Sequence, residues 1–199
     1  SAIITAVKIF QDIVINDNYL NESNTQAFLD EMINKSAKAF HFECEFLVDV
    51  NMSKIVYSYS IDIGKNEDKI YEIQSEVLKM KNGNYVNNNY KKIYESKNGE
   101  LAYINCCENE KRILEKKSVN LLSSHSFINI YITNFNKGIL DSYEGSEDNE
   151  LFLHILSCLT LSLLIKVYLA EEDQHELYFL RKWMKQSRLD NQAMQEGIF

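Results

Sequence analysis

From Ser146 to Arg188 the chain contains neither glycine nor proline. Ser146 is a candidate N-cap, and Glu147 and Asp148 follow in the first turn, where the helix dipole favours negative charge. The segment then runs from Leu151 to Leu169 with apolar residues on nearly every face, and past Ala170 it becomes amphipathic up to Met184. A helix that is apolar all round has to be covered on all sides. One domain of this size covers one face, and a second copy of the chain is the natural cover for another. The run Leu151–Ile165 is shorter than the roughly 20 residues a bilayer requires, and His154, Ser157, Thr160 and Ser162 interrupt it. No membrane partner is therefore expected, and a homodimer is. Phe10, Leu156, Leu159, Leu163 and Tyr178 are its candidate interface residues.

The other properties are those of a globular chain. It has 199 residues, 45% of them hydrophobic and 25% charged, which fits one domain with a core large enough to need no staples. We expect a single domain over 1–199, with N-terminal helices in 1–40, a sheet and pocket region in 41–145 and an exit helix over 146–190. The four cysteines, Cys44, Cys106, Cys107 and Cys158, lack metal-ligand spacing and are too few for a disulfide scaffold. The N-terminus has no basic stretch followed by an apolar run and a cleavage site. Both features point to the cytoplasm. A net charge of −8 argues against direct binding of nucleic acid by this segment, because a domain that grips phosphates is basic.

Periodicity supplies the elements. Ile3, Ala6, Val7, Phe10, Ile13 and Val14 recur at helical spacing, and Asn16-Asp17-Asn18 ends that helix. Ser23-Asn24-Thr25-Gln26 resembles a capping box, and Phe28, Met32, Ile33, Ala37 and Phe40 line a second helix. Phe42–Val50 and Ile55–Ile63 alternate apolar and polar residues across Asn51-Met52-Ser53, the pattern of an antiparallel hairpin. Ile70, Ile73, Val77 and Met80 predict a helix over Glu67–Met80. Asn98-Gly99 predicts a type I′ turn between strands Tyr90–Ser96 and Glu100–Cys107. Glu108–Leu122 leans to helix. Phe127–Thr133 and Ile139–Tyr143 are expected strands around Asn134–Gly138. Antiparallel strand pairs between terminal helices make the class α+β.

This order resembles a GAF-type sensory domain: an entering helix, the hairpin Phe42–Ile63, a variable middle over Lys65–Ser126, closing strands and a long leaving helix. Ala39–Val50 followed by Ile55–Ser60, and the segment Phe179–Asp190, are similar to the N-terminal sensor of PucR/CdaR-type transcription regulators and to its exit helix. Phe127-Ile128-Asn129 lacks the proline common in the corresponding GAF strand, and the last strand keeps only Gly138-Ile139-Leu140 of its usual pattern. The resemblance implies a GAF-like antiparallel sheet flanked by N-terminal helices and a long C-terminal helix. It also implies a bacterial ligand-sensing and dimerisation domain that passes a small-molecule signal through its last helix to an output domain.

No nucleophile elbow, phosphate loop or dinucleotide fingerprint occurs, so no catalytic residue is assigned and an enzyme is not expected. His41, His125, His154 and His175 show no ligand spacing, and no metal site is assigned. Tyr57, Tyr59, Tyr103, Asn105, Asn129 and Tyr131 are candidate ligand-binding residues if they converge inside the sheet, since small-molecule sites combine apolar walls with a few polar groups. No cofactor follows from them. Cys106-Cys107, with Lys111 and Arg112 nearby, is a candidate thiol redox pair, although buried cysteine is more often a small apolar filler. A purely structural dimerisation module is the remaining alternative.

Overall fold

The computed structural model describes residues 2–33, 37, 39–50, 53–83, 89–136 and 150–169. The chain divides into two units, residues 1–162 and 163–199; the second is described only as helical backbone up to Leu169. The elements are α1 (Ala2–Ile15), a 3₁₀ turn at Tyr19–Asn21, α2 (Ser23–Met32), β1 (Ala39–Val50), β2 (Ser53–Lys65), β3 (Tyr71–Asn82), β4 (Lys91–Lys97), β5 (Glu100–Ile104), α3 (Glu108–Ser118), α4 (Phe127–Asn136) and α5 (Glu150–Leu169). The strands form one antiparallel sheet in chain order, β1-β2-β3-β4-β5. The class is α+β, as expected.

The hairpin behaves as its alternation requires. β1 pairs with β2 without a break from Ala39↔Gly64 to Val50↔Ser53. Tyr57, Tyr59, Ile61 and Ile63 are buried on the inner face of β2, which puts their partners Phe46, Cys44, Phe42 and Phe40 on the same face. Asn98 and Gly99 both take positive φ, 51° and 80°, as a type I′ turn demands, and join β4 to β5.

Two expected elements are of the other kind. Glu67–Met80 is not a helix; most of it is β3. Ser75 pairs with Asp62 and Ile73 with Ile63, so Gln74 is an extra residue, a bulge. The set read at helical spacing is therefore split: Ile73 and Met80 pair with the inward Ile63 and Tyr57, Val77 pairs with Ser60 on the other face, and Ile70 precedes the strand. Phe127–Thr133 is not a strand but most of α4. The five consecutive residues Phe127, Ile128, Asn129, Ile130 and Tyr131 are all buried, so side chains from every face of this turn are packed, and packing overrides the preference of its apolar residues for strands. The strand expected to close a GAF-like sheet at this point is thus helical. Ile139–Tyr143 and the N-cap at Ser146 lie outside the described residues, as does the exit helix beyond Leu169.

Smaller corrections concern α2. It stops at Met32, and Phe40 belongs to β1. Its N-cap is Glu22, which makes no side-chain cap, so the capping box is not formed. Gln26 instead donates to the carbonyls of Leu20 (2.7 Å) and Tyr71 (3.0 Å) and accepts from the Tyr71 N–H (2.8 Å). Its amide engages both backbone groups of the first β3 residue, as a neighbouring strand would, and ties α2 to the sheet.

Three helices cover the inner face. On α1, Phe10 stacks on Phe42 at 4.7 Å and tilts against Tyr59 at 5.1 Å. On α4, Phe127 lies 4.5 Å from Tyr94. On α5, Phe152 stacks on Phe135 at 4.4 Å, and His154 meets Tyr57 edge-on at 5.6 Å.

Candidate functional site: a buried carboxylate hub and the outer side of α5

Glu76 is fully buried at 0% exposure, and four donors surround it. Tyr59 Oη (2.9 Å), Tyr94 Oη (2.8 Å) and Ser126 Oγ (2.7 Å) all donate to Oε1, and the Phe127 N–H donates to Oε2 at 2.7 Å. Ser126 Oγ in turn accepts from the Ile128 N–H at 3.2 Å, so serine and glutamate together satisfy the first amides of α4. Burial pushes the Glu76 carboxyl above its ordinary value, and the four donors offset this only in part. Burial, then the Glu76 charge, drives the Tyr59 and Tyr94 hydroxyls well up, so both stay protonated donors. The hub joins β2, β3 and β4 to the start of α4.

The six tyrosine and asparagine candidates do not converge on one cavity. Tyr59 serves the hub. Tyr57 Oη shares a hydrogen bond of 2.8 Å with His154 Nδ1, linking β2 to α5. Tyr131 Oη donates to Glu110 Oε1 at 3.0 Å, linking α4 to α3. Asn129 Nδ2 donates to the carbonyls of Val14 and Ile15, the last turn of α1. Tyr103 is 43% exposed on β5, and Asn105 is exposed just beyond it. Among the described residues every buried side-chain nitrogen or oxygen has a hydrogen-bond partner. The four buried ones, Tyr57, Tyr59, Asn129 and Tyr131, therefore spend these polar atoms on joining elements of the fold. Two shallow cavities lie elsewhere. One, of about 300 Å³, is lined by Thr5, Ile9, Met32, Ile33, Phe40 and His41 among others; the second, of about 330 Å³, lies around Glu100, Glu115 and Asn120.

Cys106 and Cys107 are not on a strand, because β5 ends at Ile104; Cys107 is the N-cap of α3. Burial, then the nearby Glu110, pushes the Cys106 thiol up to about 12, and Lys111 offsets little of this. Cys107 is exposed. Among the described residues no group of three His, Cys, Asp or Glu side chains is placed to hold a metal ion.

α5 turns Leu151, His154, Ile155, Cys158 and Ser162 inward. Its other sides carry Leu153, 60% exposed, and the half-buried Phe152, Leu156, Leu159 and Leu161. No charged side chain occurs between Leu151 and Ser162. Of the five interface candidates, Leu156 lies on this outer side and Leu159 on its flank. Phe10 is 1% exposed, inside the core. The side chain of Leu163, and Tyr178, lie outside the described residues. No helix among the described residues is long and apolar enough to cross a membrane.

Glu76 and Ser126 did not stand out in the sequence. Glu76 was one polar residue at the edge of the apolar stripe of the expected helix. Ser126, directly before an apolar run, carried a usable signal, since serine there is a preferred N-cap. The chain matches no protein-family model, no curated protein and no solved structure.

Proposed function

We propose that this chain is an association module rather than an enzyme, and that it joins a second copy of itself through the outer side of α5. The observation that carries this reading is the exposure of Leu153 beside half-buried Leu156, on a helix stretch without charge among the described residues. Leu153, Leu156 and Thr160 recur at intervals of three and four, the spacing of a helix–helix seam. A neutral apolar seam meets its own copy without opposing like charges. It would also remove leucine surface from water at about 25 cal/mol per Å².

In the wider reading, the module is the ligand-sensing and dimerisation part of a GAF-like sensor in a PucR/CdaR-type transcription regulator. The entering helix, the Ala39–Lys65 hairpin and the leaving helix support that reading, and the helical Phe127–Asn136 weighs against it. A signal would then travel by repacking α5, which requires a ligand to bind two helix arrangements unequally. The tyrosine hydroxyls spent within the fold give the ligand less support than the dimer.

Light scattering across micromolar concentrations tests the association. A dimer that becomes monomeric on Leu153→Glu, with an unchanged circular dichroism spectrum, is the expected result. A wild-type monomer throughout, or a Leu153→Glu variant that remains dimeric, overturns it.

A further inference from the structure

β1 is an edge of the sheet. Among the described residues its twelve positions pair only with β2, so alternate residues direct their N–H and C=O groups away from the sheet. The side chains along this edge are unequal on the two faces. On the inner face, Phe40, Phe42, Cys44, Phe46 and Val48 are only half-buried, although the β2 residues Ile63, Ile61, Tyr59 and Tyr57 opposite the first four are buried. An apolar shelf thus runs along the edge, one strand short of full cover. On the outer face, Glu43, Glu45 and Asp49 are exposed, with Leu47 57% exposed between the last two.

A second copy of the chain is a poor occupant. Antiparallel self-pairing that keeps the phenylalanines on one face, and is centred anywhere from Glu43 to Phe46, always opposes two carboxylates. The pairs are Glu43 with its own copy, Glu43 with Glu45, Glu45 with its own copy, or Glu43 with Asp49, and like charges directly opposite are destabilising. A strand that alternates basic and apolar residues meets every demand at once.

We propose that the free edge of β1 is a docking strand for an extended, basic segment of another protein, which adds a sixth strand to the sheet. The backbone ladder supplies affinity, the apolar side chains of the guest complete the shelf, and its lysines or arginines face Glu43, Glu45 and Asp49. Two cations lie on the sheet side of these carboxylates and temper the field without covering the edge. Lys54 opposes Asp49 in register, and Lys81 sits over the ring of Tyr90, whose hydroxyl donates to Glu45 at 2.5 Å. His41, at the start of the same face, is held to Asp62 at 2.6 Å and lies 3.8 Å from Glu43, whose outward side it leaves open.

The probe is a fluorescein-labelled decapeptide alternating lysine and valine, titrated with the intact chain and followed by fluorescence anisotropy. Binding should saturate and weaken about tenfold or more for the double variant Glu43→Lys, Glu45→Lys. A peptide of the same sequence, N-methylated at alternate residues on its hydrogen-bonding edge, should not bind, because it cannot build the ladder. Both variant side chains are exposed, so a matching thermal midpoint shows that the fold is intact. Absence of saturable binding overturns the proposal. Equal binding by the N-methylated peptide overturns it as well, leaving charge attraction alone, and so does binding unchanged by the charge reversal.

Discussion

The carboxylate of Glu76 on β3 accepts the backbone N–H of Phe127, the first residue of α4, at 2.7 Å across 51 positions of sequence. A side chain inside the sheet therefore does for α4 what a neighbouring cap residue does for most helices, and the two elements depend on each other.

Glu76→Ala should be among the most damaging single substitutions in the chain. It removes the acceptor of three buried hydroxyls and one helix amide, each costing about 1–3 kcal/mol if left unsatisfied. Glu76→Gln keeps the volume but replaces one accepting oxygen by an NH₂ donor, so the hydroxyls or the Phe127 N–H that it faces lose an acceptor, and the change should cost about 1–3 kcal/mol. Urea unfolding of the two variants beside wild type checks the order, Ala worse than Gln.

The hub also predicts a pH dependence of unusual sign for a carboxylate. Burial raises the folded-state value of Glu76 above the ordinary 4.5, so the folded protein holds this proton more tightly than the unfolded chain does. The associated stability is fully present below 4.5 and is lost as pH rises through the raised folded value. Half-buried Glu110, raised by burial, contributes in the same direction. Denaturant midpoints measured upward from about pH 4.5 should fall through this window more steeply for wild type than for Glu76→Gln.

Gly99 is held at φ 80° in the β4–β5 turn, next to Asn98 at 51°. A methyl at Gly99 would meet nothing closer than Ser123 Cβ at 3.9 Å, so crowding is not the obstacle. The backbone is: Gly99→Ala should cost about 1–2 kcal/mol, the penalty of a β-carbon in the left-handed region, with no change in circular dichroism.

Thiol labelling should follow exposure. Cys107 should react first with iodoacetamide, because it is exposed. Cys106, pushed up to about 12, and Cys44, pushed up to about 11 chiefly by burial, should lag. Buried Cys158 should label only on unfolding. Timed quenching and peptide mass spectrometry give the order. Rapid, simultaneous modification of Cys106 and Cys107 would revive the redox pair.

Where side-chain pattern and backbone geometry agree, the fold was legible in the sequence. The alternation from Phe42 to Ile63 gave the hairpin, Asn98-Gly99 gave a turn with positive φ, and Ile3 to Val14 gave α1. Legibility failed at two kinds of place. The extra residue Gln74 shifts the phase of β3, so the inward Ile73 and Glu76 lie three apart and the period-2 signal is broken. In α4 every residue from Phe127 to Tyr131 is buried, and Ile128, Ile130 and Ile132 alternate only by coincidence. The candidate site suffered from the same errors. Tyr57 and Tyr59 were correctly placed in the interior, but their partners His154 and Glu76 could be found only once α5 and β3 were in position. The apolar character of α5 was legible, because a helix apolar on nearly every side needs cover whatever lies beside it.

The bulge at Gln74 fixes which length changes β3 can tolerate. Removing Gln74 alone would leave Tyr71, Ile73, Glu76 and Leu78 at every second position, all still facing inward along a regular ladder. Removing Ser75 instead would join Ile73 and Glu76 through Gln74 and give the same alternation. A deletion anywhere between Glu76 and Leu78 has no such escape, because it turns either the carboxylate or the leucine toward water. Between Tyr71 and Leu78, shortening by one residue thus keeps the inward set only at Gln74 or Ser75.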